Sequence, residues 1–364
     1  MKILYIAPLP PPITGHSLVS QAFLDHLKFR HTVNVINMGK NSFKQGINGL
    51  NRIAQVVKII WQTWCLRSNV DAIYLTISES FAGNVKDLFL FIACFGDLSK
   101  TYVHLHGGSI KHHLWDQHKI LYRINRFFYH RLGGVIISGR SHKQIFEEMV
   151  ADRKIHIVPN FAPDNMFVDD EIIKFKFSNI YPLKILYISS MQPEKGYELL
   201  LQSYLELSSE VKSMIRLDFA GRFDSLHNEA IFRERVAGLP SVQYHGVVDG
   251  QTKIELYKNA HIFCLPTQFL EGQPISILEA YAAGCVVITT GQPGIRDIFT
   301  DGSNGFEIGS NSQASLATTI NKIAQAPKDL YQIACHNRSS AELKFRSELY
   351  SSRLSSILES HHLP

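Results

Sequence analysis

The chain moves between two hydrophobic rhythms. Short continuous apolar runs, rich in β-branched residues, read as strands buried on both faces: KILYIA at 2–7, TVNVIN at 32–37, AIYLTI at 72–77, TYVHLH at 101–106, GVIIS at 134–138 and KIHIVPN at 154–160. Between them, apolar residues recur at helical spacing in HSLVSQAFLDHL, in RIAQVVKIIWQTWCLR at 52–67, in VKDLFLFIACF, near 114–131 and in SHKQIFEEM. The rhythm breaks at 161–182, FAPDNMFVDDEIIKFKFSNIYP, where prolines and acidic residues leave no clear period. It restarts with LKILYISS at 183–190, which resembles the first strand. IRLDFAG, VQYHG, HIFCLP and CVVITT follow as strands, with helices between them, and the chain is helical and amphipathic from about 328.

Strands alternating with helices predict doubly wound parallel sheets. The break and restart predict two such domains, and a length of 364 residues fits that number. The expected fold class is α/β, two Rossmann-like domains facing a central cleft. The expected boundaries are 1–165 for the first domain, 166–182 for a linker, 183–340 for the second domain and 341–364 for a helical segment packing back on the first. Ligands of such sheets bind at the carboxyl ends of the strands, so the loops there are the place to look for chemistry.

Composition narrows the class. Hydrophobic residues make up 45% of the chain, yet no run approaches the roughly 18 needed for a spanning helix. The start lacks a signal-peptide shape, because its apolar stretch runs into prolines. Five scattered cysteines without a CxxC argue against a disulfide framework or a zinc site, and a cytoplasmic setting is expected. The net charge of +5 is unevenly spread. Residues 1–160 hold 19 Lys and Arg against 9 Asp and Glu, hence +10, while the remainder holds 18 against 23, hence −5. A basic first half suggests an anionic partner, although ordinary surface variation gives the same count.

Several chemistries are excluded by what the strand-end loops lack. The first strand is followed by PLPPPITGHS, not GxGxxG, which argues against the usual nicotinamide or flavin site. There is no GxxxxGK[ST], no HExxH and no Asp-x-Asp pair to hold a metal against a diphosphate. What remains is a set of small features. Gly15 precedes a helix and lets the backbone approach an anion, or is a plain turn glycine. His104 and His106 share one side of a strand end, with Gly107 and Gly108 after them; either histidine is equally at home as a structural residue. Lys195 and Gly196, in QPEKGYELLL, open a helix, where an ammonium can neutralise a phosphate, or are only a helix start.

The segment FLEGQPISILEA at 269–280 asks more of these features. Pro274 suits a first helical turn, where its missing N–H does no harm. Glu271 then lies in the loop and Glu279 inside the helix, with the backbone amides around Gln273 and Ile275 between them. One carboxylate before and one after an anion site match a nucleotide sugar: sugar, diphosphate, ribose. Two ordinary glutamates flanking a helix start fit the spacing as well.

Together these residues resemble the family-4 glycosyltransferases, retaining enzymes of the two-Rossmann GT-B fold. The resemblance covers nearly the whole chain, through the Gly15 loop, VHLHGG, VPN, PEKG, QYHGVV, FLEGQPISILEAYAAGCVVITT and GQPGIRDI. It implies a nucleotide-diphosphate sugar donor, a saccharide or lipid-linked saccharide acceptor, retention of configuration, and no metal or other cofactor. It puts Glu271 on the donor hexose, Glu279 on the ribose, Lys195 and the Gly15 amide on the diphosphate, and His106 beside the reaction centre. Gly272, Gln273, Pro274 and Ile275 would frame sugar and phosphate, with Pro274 offering no N–H. His16 and Gly107 fall on the acceptor side. Two departures stand out. Ser189 and Ser190 occupy the place of the family's usual Gly-Arg, so Lys195 carries more of the charge, with Arg222 as a helper. Glu-Gly-Gln-Pro stands for the common Glu-Gly-Phe-Gly, which bears on which sugar is taken.

The basic half fits the acceptor side of this picture. KHHLWDQHKILYRINRFFYHR at 111–131 interleaves basic residues with aromatics and suggests an anionic membrane surface as a further partner, at the inner face of the cytoplasmic membrane in bacterial polysaccharide assembly. An ordinary packed helix with a charged outer face reads the same way. A nucleotide-sugar epimerase or hydrolase, and a non-catalytic nucleotide-sugar-binding protein, remain as alternatives. Nucleic-acid binding is not expected, because no recognised module is present.

Overall fold

The computed structural model describes residues 1–11, 14–39 and 49–360. The chain divides into two compact units. The first comprises Met1–Asn160 with the short segment Leu270–Gln273 and the C-terminal helix Ser347–Glu359; the second comprises Phe161–Phe269 and Pro274–Arg346. Each unit has its own buried apolar core.

The first unit is built on six parallel strands: β1 (Lys2–Ala7), β2 (Thr32–Asn37), β3 (Ala72–Thr76), β4 (Thr101–Leu105), β5 (Gly134–Ile137) and β6 (Ile155–Ile157), in the order β2-β1-β3-β4-β5-β6. KILYIA registers Lys2 to Ala7 against Thr32 to Asn37, and Ile3 to Ile6 are fully buried, as a central strand covered on both faces demands. The helix Gly15–Arg30 starts where Thr14 and Ser17 cap each other: Ser17 N donates to Thr14 Oγ1 at 3.0 Å and Thr14 N donates to Ser17 Oγ at 2.8 Å. The C-terminal helix Ser347–Glu359 packs on that helix, with Tyr350 edge-on to Phe23.

The second unit repeats the plan with β7 (Leu183–Ile188), β8 (Ile215–Ala220), β9 (Val242–Tyr244), β10 (Ile262–Leu265), β11 (Val286–Thr290) and β12 (Gly305–Ile308), in the order β12-β11-β10-β7-β8-β9. The eleven strand runs read from the sequence are all strands here. The twelfth, β12, has only four residues in GFEI and a half-exposed pattern, too short for a periodicity argument.

Two helical readings are corrected. The stretch 161–182, read as having no clear period and as a linker from 166 onward, carries a helix, Asp170–Ser178, inside the second unit. Its buried side is only Ile173 and Lys176; the Lys176 ammonium donates to the Ala283 carbonyl at 2.9 Å, so a charged residue occupies a core position and hides the helical period. The helix expected near 114–131 spans Lys119–Tyr129, preceded by a separate wide turn at Lys111–Trp115.

Both sheets reverse their direction of travel once. In the first unit the reversal lies between β1 and β3, and in the second between β7 and β10. At such a point the two adjacent crossovers leave on opposite faces and open a crevice at the carboxyl ends of the strands.

Candidate active site

In the second unit, the β7/β10 reversal brings together the two loops singled out from the sequence. After β7 the chain turns through Pro193–Lys195, and after β10 it runs through 266–269. The Glu194 carbonyl binds the two loops, accepting from Gln268 N at 2.7 Å and Phe269 N at 3.2 Å. Gly196 follows with φ +87°, and a Cβ there would lie 2.3 Å from the Pro266 carbonyl oxygen, so only glycine allows the loops to approach this closely. Lys195 is thereby aimed over the Phe269 ring, its ammonium 4.2 Å from the centroid.

Pro274 then caps the helix Ile275–Ala282, and Ile277 N already turns back to the Pro274 carbonyl at 3.2 Å. Glu279 lies inside this helix at 2% exposure. Its carboxylate is held by Lys253, 2.5 Å away on the helix Gly250–Asn259. Tyr257, from the same helix, lies beside it; burial first and the Glu279 charge second push its phenol well above the usual range. Arg222 follows β8, exposed, with its carbonyl accepting from Met191 N at 2.8 Å, which ties the β7 and β8 loops together. Lys195, Arg222, Pro274, Ile275 and Glu279 therefore all belong to carboxyl-end loops or the helix of the second unit.

Glu271, Gly272 and Gln273 belong instead to the first unit. Gly272 lies so close to the His106 carbonyl that a Cβ would sit 2.1 Å from its oxygen. The Glu271 carbonyl lies 3.3 Å from His142 Nε2, and Glu271 is 8% exposed. Gln273 is fixed by its own side chain: Oε1 accepts from Asn160 N at 2.6 Å, and Nε2 donates to the Ser138 carbonyl at 3.2 Å. The Gln273 carbonyl also accepts from Asn160 Nδ2 at 2.9 Å, so the amide acts as a clamp for this segment.

Three imidazoles line up at the first unit's strand ends. His104 and His106 are 4.0 Å apart between ring centroids, and His106 and His16 are 4.2 Å apart. His104 Nδ1 is hydrogen-bonded to the Tyr74 hydroxyl at 2.7 Å. Burial, with each ring's charged form opposing its neighbours, holds the His106 pKa well below its usual value and His104 down to about 3. Burial and the nearby Lys86 ammonium hold His16 down to about 4. All three are neutral at pH 7. The enclosed Nε2 atoms of His16, His104 and His106 have no hydrogen-bond partner among the described residues. Gly15 opens the helix that carries His16. Gly107 lies against the carboxylate of Glu79, whose Oε1 accepts from Ser109 N at 2.6 Å and Ile110 N at 3.1 Å.

Sequence reasoning did not reach Lys253, Glu79 or His142. Lys253 lies in GQTKIELYKN, an ordinary polar helix with no motif. Glu79 had one signal, its place just past the end of a buried strand, in the same position as the other loops. His142 sits in SGRSHK, again just past a strand, where strand-end position was the same clue.

Comparison with known proteins bears on this geometry. Residues 169–338 match the family model described as glycosyl transferases group 1. The lipopolysaccharide 1,2-N-acetylglucosaminetransferase of Salmonella typhimurium is 28% identical over 213 residues, covering 55% of each chain. A Campylobacter jejuni α-1,4-N-acetyl-D-galactosaminyltransferase, named for an undecaprenol-diphosphate-linked acceptor, is 23% identical over 203 residues, 56% of this chain and 53% of the relative. The chain thus spans about half the length of the curated relatives it matches. Among solved structures, Anabaena HepE in complex with UDP-glucose superposes with a TM-score of 0.75 over 99% of this chain and 100% of that one, at 16% identity, a likeness of fold. Residues 169–338 thus resemble the glycosyl transferases of group 1, and the two six-stranded parallel sheets give the chain a fold like that of the GT-B enzymes.

Proposed function

We propose that this chain is a retaining glycosyltransferase that moves a hexose-type sugar from a nucleotide-diphosphate sugar to a saccharide or lipid-linked saccharide acceptor, in bacterial surface-polysaccharide assembly at the inner face of the cytoplasmic membrane. The observation that carries this reading is the β7/β10 reversal of the second unit, where Lys195 is braced through the Glu194 carbonyl beside the loop that leads to the Glu279 helix. The names of the relatives, which transfer N-acetylhexosamines to lipopolysaccharide or to a polyprenol-linked saccharide, support the same class of substrates. HepE, solved with UDP-glucose on this fold, supports the donor class.

In this reading, departure of the diphosphate takes the electron pair of the anomeric C–O bond. The Lys195 ammonium and the amides opening the helix at Ile275 stabilise the charge that develops on it, with the Gly15 amide and the exposed Arg222 as further donors. Glu279, held ready by Lys253, accepts from the ribose hydroxyls. Glu271 and the Gly272–Gln273 backbone accept from and frame the hexose. His106 is neutral, so it adds no positive charge against the one growing on the sugar, and its unpartnered Nε2 suits a sugar hydroxyl. His16 and Gly107 serve the acceptor. The acceptor hydroxyl attacks on the face the diphosphate leaves, forming the new C–O bond, and its proton passes to the departing phosphate oxygen. The reading asks for no metal.

A transfer assay tests it: labelled nucleotide sugars, first ranked by thermal shift, are incubated with lipid extracts. Label is expected in the lipid fraction, with chelator present or absent. Sugar epimerised or hydrolysed without acceptor, or transfer restored only by divalent ions, would overturn the reading.

A further inference from the structure

Three helices of the first unit, Gly49–Leu66, Phe81–Ala93 and Lys119–Tyr129, follow β2, β3 and β4. Those crossovers all step in the same direction across the sheet, so the right-handed rule lays the helices on one face. The first packs on the second, and the second on the third, where Asn84 and Asn125 exchange side-chain hydrogen bonds and Phe91 meets Phe128 at 5.7 Å.

The outward side of this layer is apolar. Ile53, Val57, Trp61 and Trp64 form a stripe at helical spacing on the first helix, facing Phe89 and Ile92 on the second; each is 51–63% exposed. They line a groove of about 740 Å³. Beyond it Phe95 stacks on Phe127 with centroids 6.3 Å apart, and Ile120 and Ile124 extend the patch. So much contiguous apolar surface marks a docking face.

Charge says what docks there. Arg52 and Lys58 on the first helix and Lys119, Arg123 and Arg126 on the third border the apolar stripe. Neither of these two helices contains an Asp or Glu, and the second has only Asp87, buried and bridged by Lys86 at 2.9 Å. Two carboxylates reach the edge of this face, Asp97, paired with Arg67 and Lys100, and Glu148, which accepts from the Tyr122 hydroxyl. The rim on the helices themselves is basic and fits anionic headgroups, and paired tryptophans prefer the depth where headgroups meet hydrocarbon. The segment 111–131 alone does not make this surface, since Trp115, Leu121 and Phe128 are buried in the core.

We infer that this three-helix face docks on an anionic lipid bilayer, with Trp61 and Trp64 at the headgroup boundary and the groove between Gly49–Leu66 and Phe81–Ala93 receiving acyl-chain ends. The inference deepens the reading of a lipid-linked acceptor, which is presented at such a surface, yet the two fail separately, because docking is measured without donor or acceptor.

The test uses the full chain with vesicles of phosphatidylcholine alone or with about a quarter phosphatidylglycerol, read by co-sedimentation and tryptophan emission. The chain has three tryptophans, and Trp115 is buried, so an emission change reports Trp61 and Trp64. Binding with a blue shift is expected on anionic vesicles, at least about tenfold weaker on neutral ones and at raised salt, because surface charges are screened. Trp61→Ser/Trp64→Ser is expected to weaken binding by about tenfold or more, and Arg52→Glu/Lys58→Glu to weaken it on anionic vesicles only; all four residues are surface positions, and an unchanged melting temperature checks the fold. Equal binding by the tryptophan variant, or by neutral vesicles, overturns the inference. So does concentration-dependent self-association, lost in the tryptophan variant, without vesicle binding, which would give the face to a second copy of the chain. Vesicle binding that persists while no assay detects sugar transfer leaves docking standing and removes the activity.

Discussion

The Lys253–Glu279 pair offers a sharp perturbation, because it joins stability to the proposed nucleotide site. Glu279 is 2% exposed, and the Lys253 ammonium lies 2.5 Å from one of its carboxylate oxygens. Lys253→Met keeps most of the side-chain stem and deletes the cation. Stripping one partner from a fully buried pair costs about 3–5 kcal/mol, since the other charge is left behind without compensation. The Lys253 side chain is 23% exposed, so water reaches the outer edge of the pair. The cost expected here is therefore about 2–3 kcal/mol, in the range of a charge-assisted hydrogen bond. For a unit of this size that corresponds to a fall in Tm of about 5–10 °C. Glu279→Gln in the same chain removes the stranded charge, so the double variant should recover at least about 1 kcal/mol relative to the sum of the single losses. Denaturant unfolding measures both terms. Nucleoside affinity should fall in Lys253→Met as well, because the carboxylate loses the group that orients it. A loss below about 0.5 kcal/mol, or strict additivity in the cycle, refutes the argument that Lys253 holds Glu279 in place.

Two further outcomes follow from the same geometry. The His16, His104 and His106 imidazoles have pKa values depressed in the fold, so below about pH 6.5 the unfolded chain takes up protons that the folded chain refuses. Stability should be unaffected by them above pH 7 and fall as pH drops toward 4; His104, held down to about 3, accounts for about 2 kcal/mol at pH 5. Unfolding free energies at pH 7.5 and 5 should converge in His104→Gln relative to the parent, and an unchanged difference would refute the assignment. Gly196→Ala places a Cβ against the Pro266 carbonyl in left-handed backbone, so it should cost about 1–3 kcal/mol and weaken diphosphate binding by displacing Lys195; a melt and a titration check both.

Much of this architecture could be read in advance. KILYIA and LKILYI announce central strands because both faces are buried, which removes the polar alternation that would blur them. PEKG and GQPIS point to the β7/β10 reversal because lysine, glycine and proline act there through backbone geometry, which local sequence encodes. The failures have a common cause in distance along the chain. Lys176 interrupts the apolar stripe of Asp170–Ser178 because its partner is the Ala283 carbonyl, more than a hundred residues away, and no local pattern reports that. Lys253 finds Glu279 across 26 residues, and Gln273 finds Asn160 across 113. The Trp61 and Trp64 face was hidden for a different reason: a helical stripe of apolar residues looks the same whether it enters a core or faces outward, and only the fold distinguishes them.

The central claim is that the β7/β10 crevice of the second unit holds a nucleoside diphosphate through the helix start and Lys195. The direct measurement is calorimetric titration of one nucleoside and its diphosphate into the parent chain and Lys195→Ala, with chelator present. The account predicts that the parent favours the diphosphate by at least about tenfold, that Lys195→Ala loses most of this preference while keeping its nucleoside affinity, and that the preference needs no divalent ion. An undiminished preference in Lys195→Ala, or one that appears only when divalent ions are added, would contradict it.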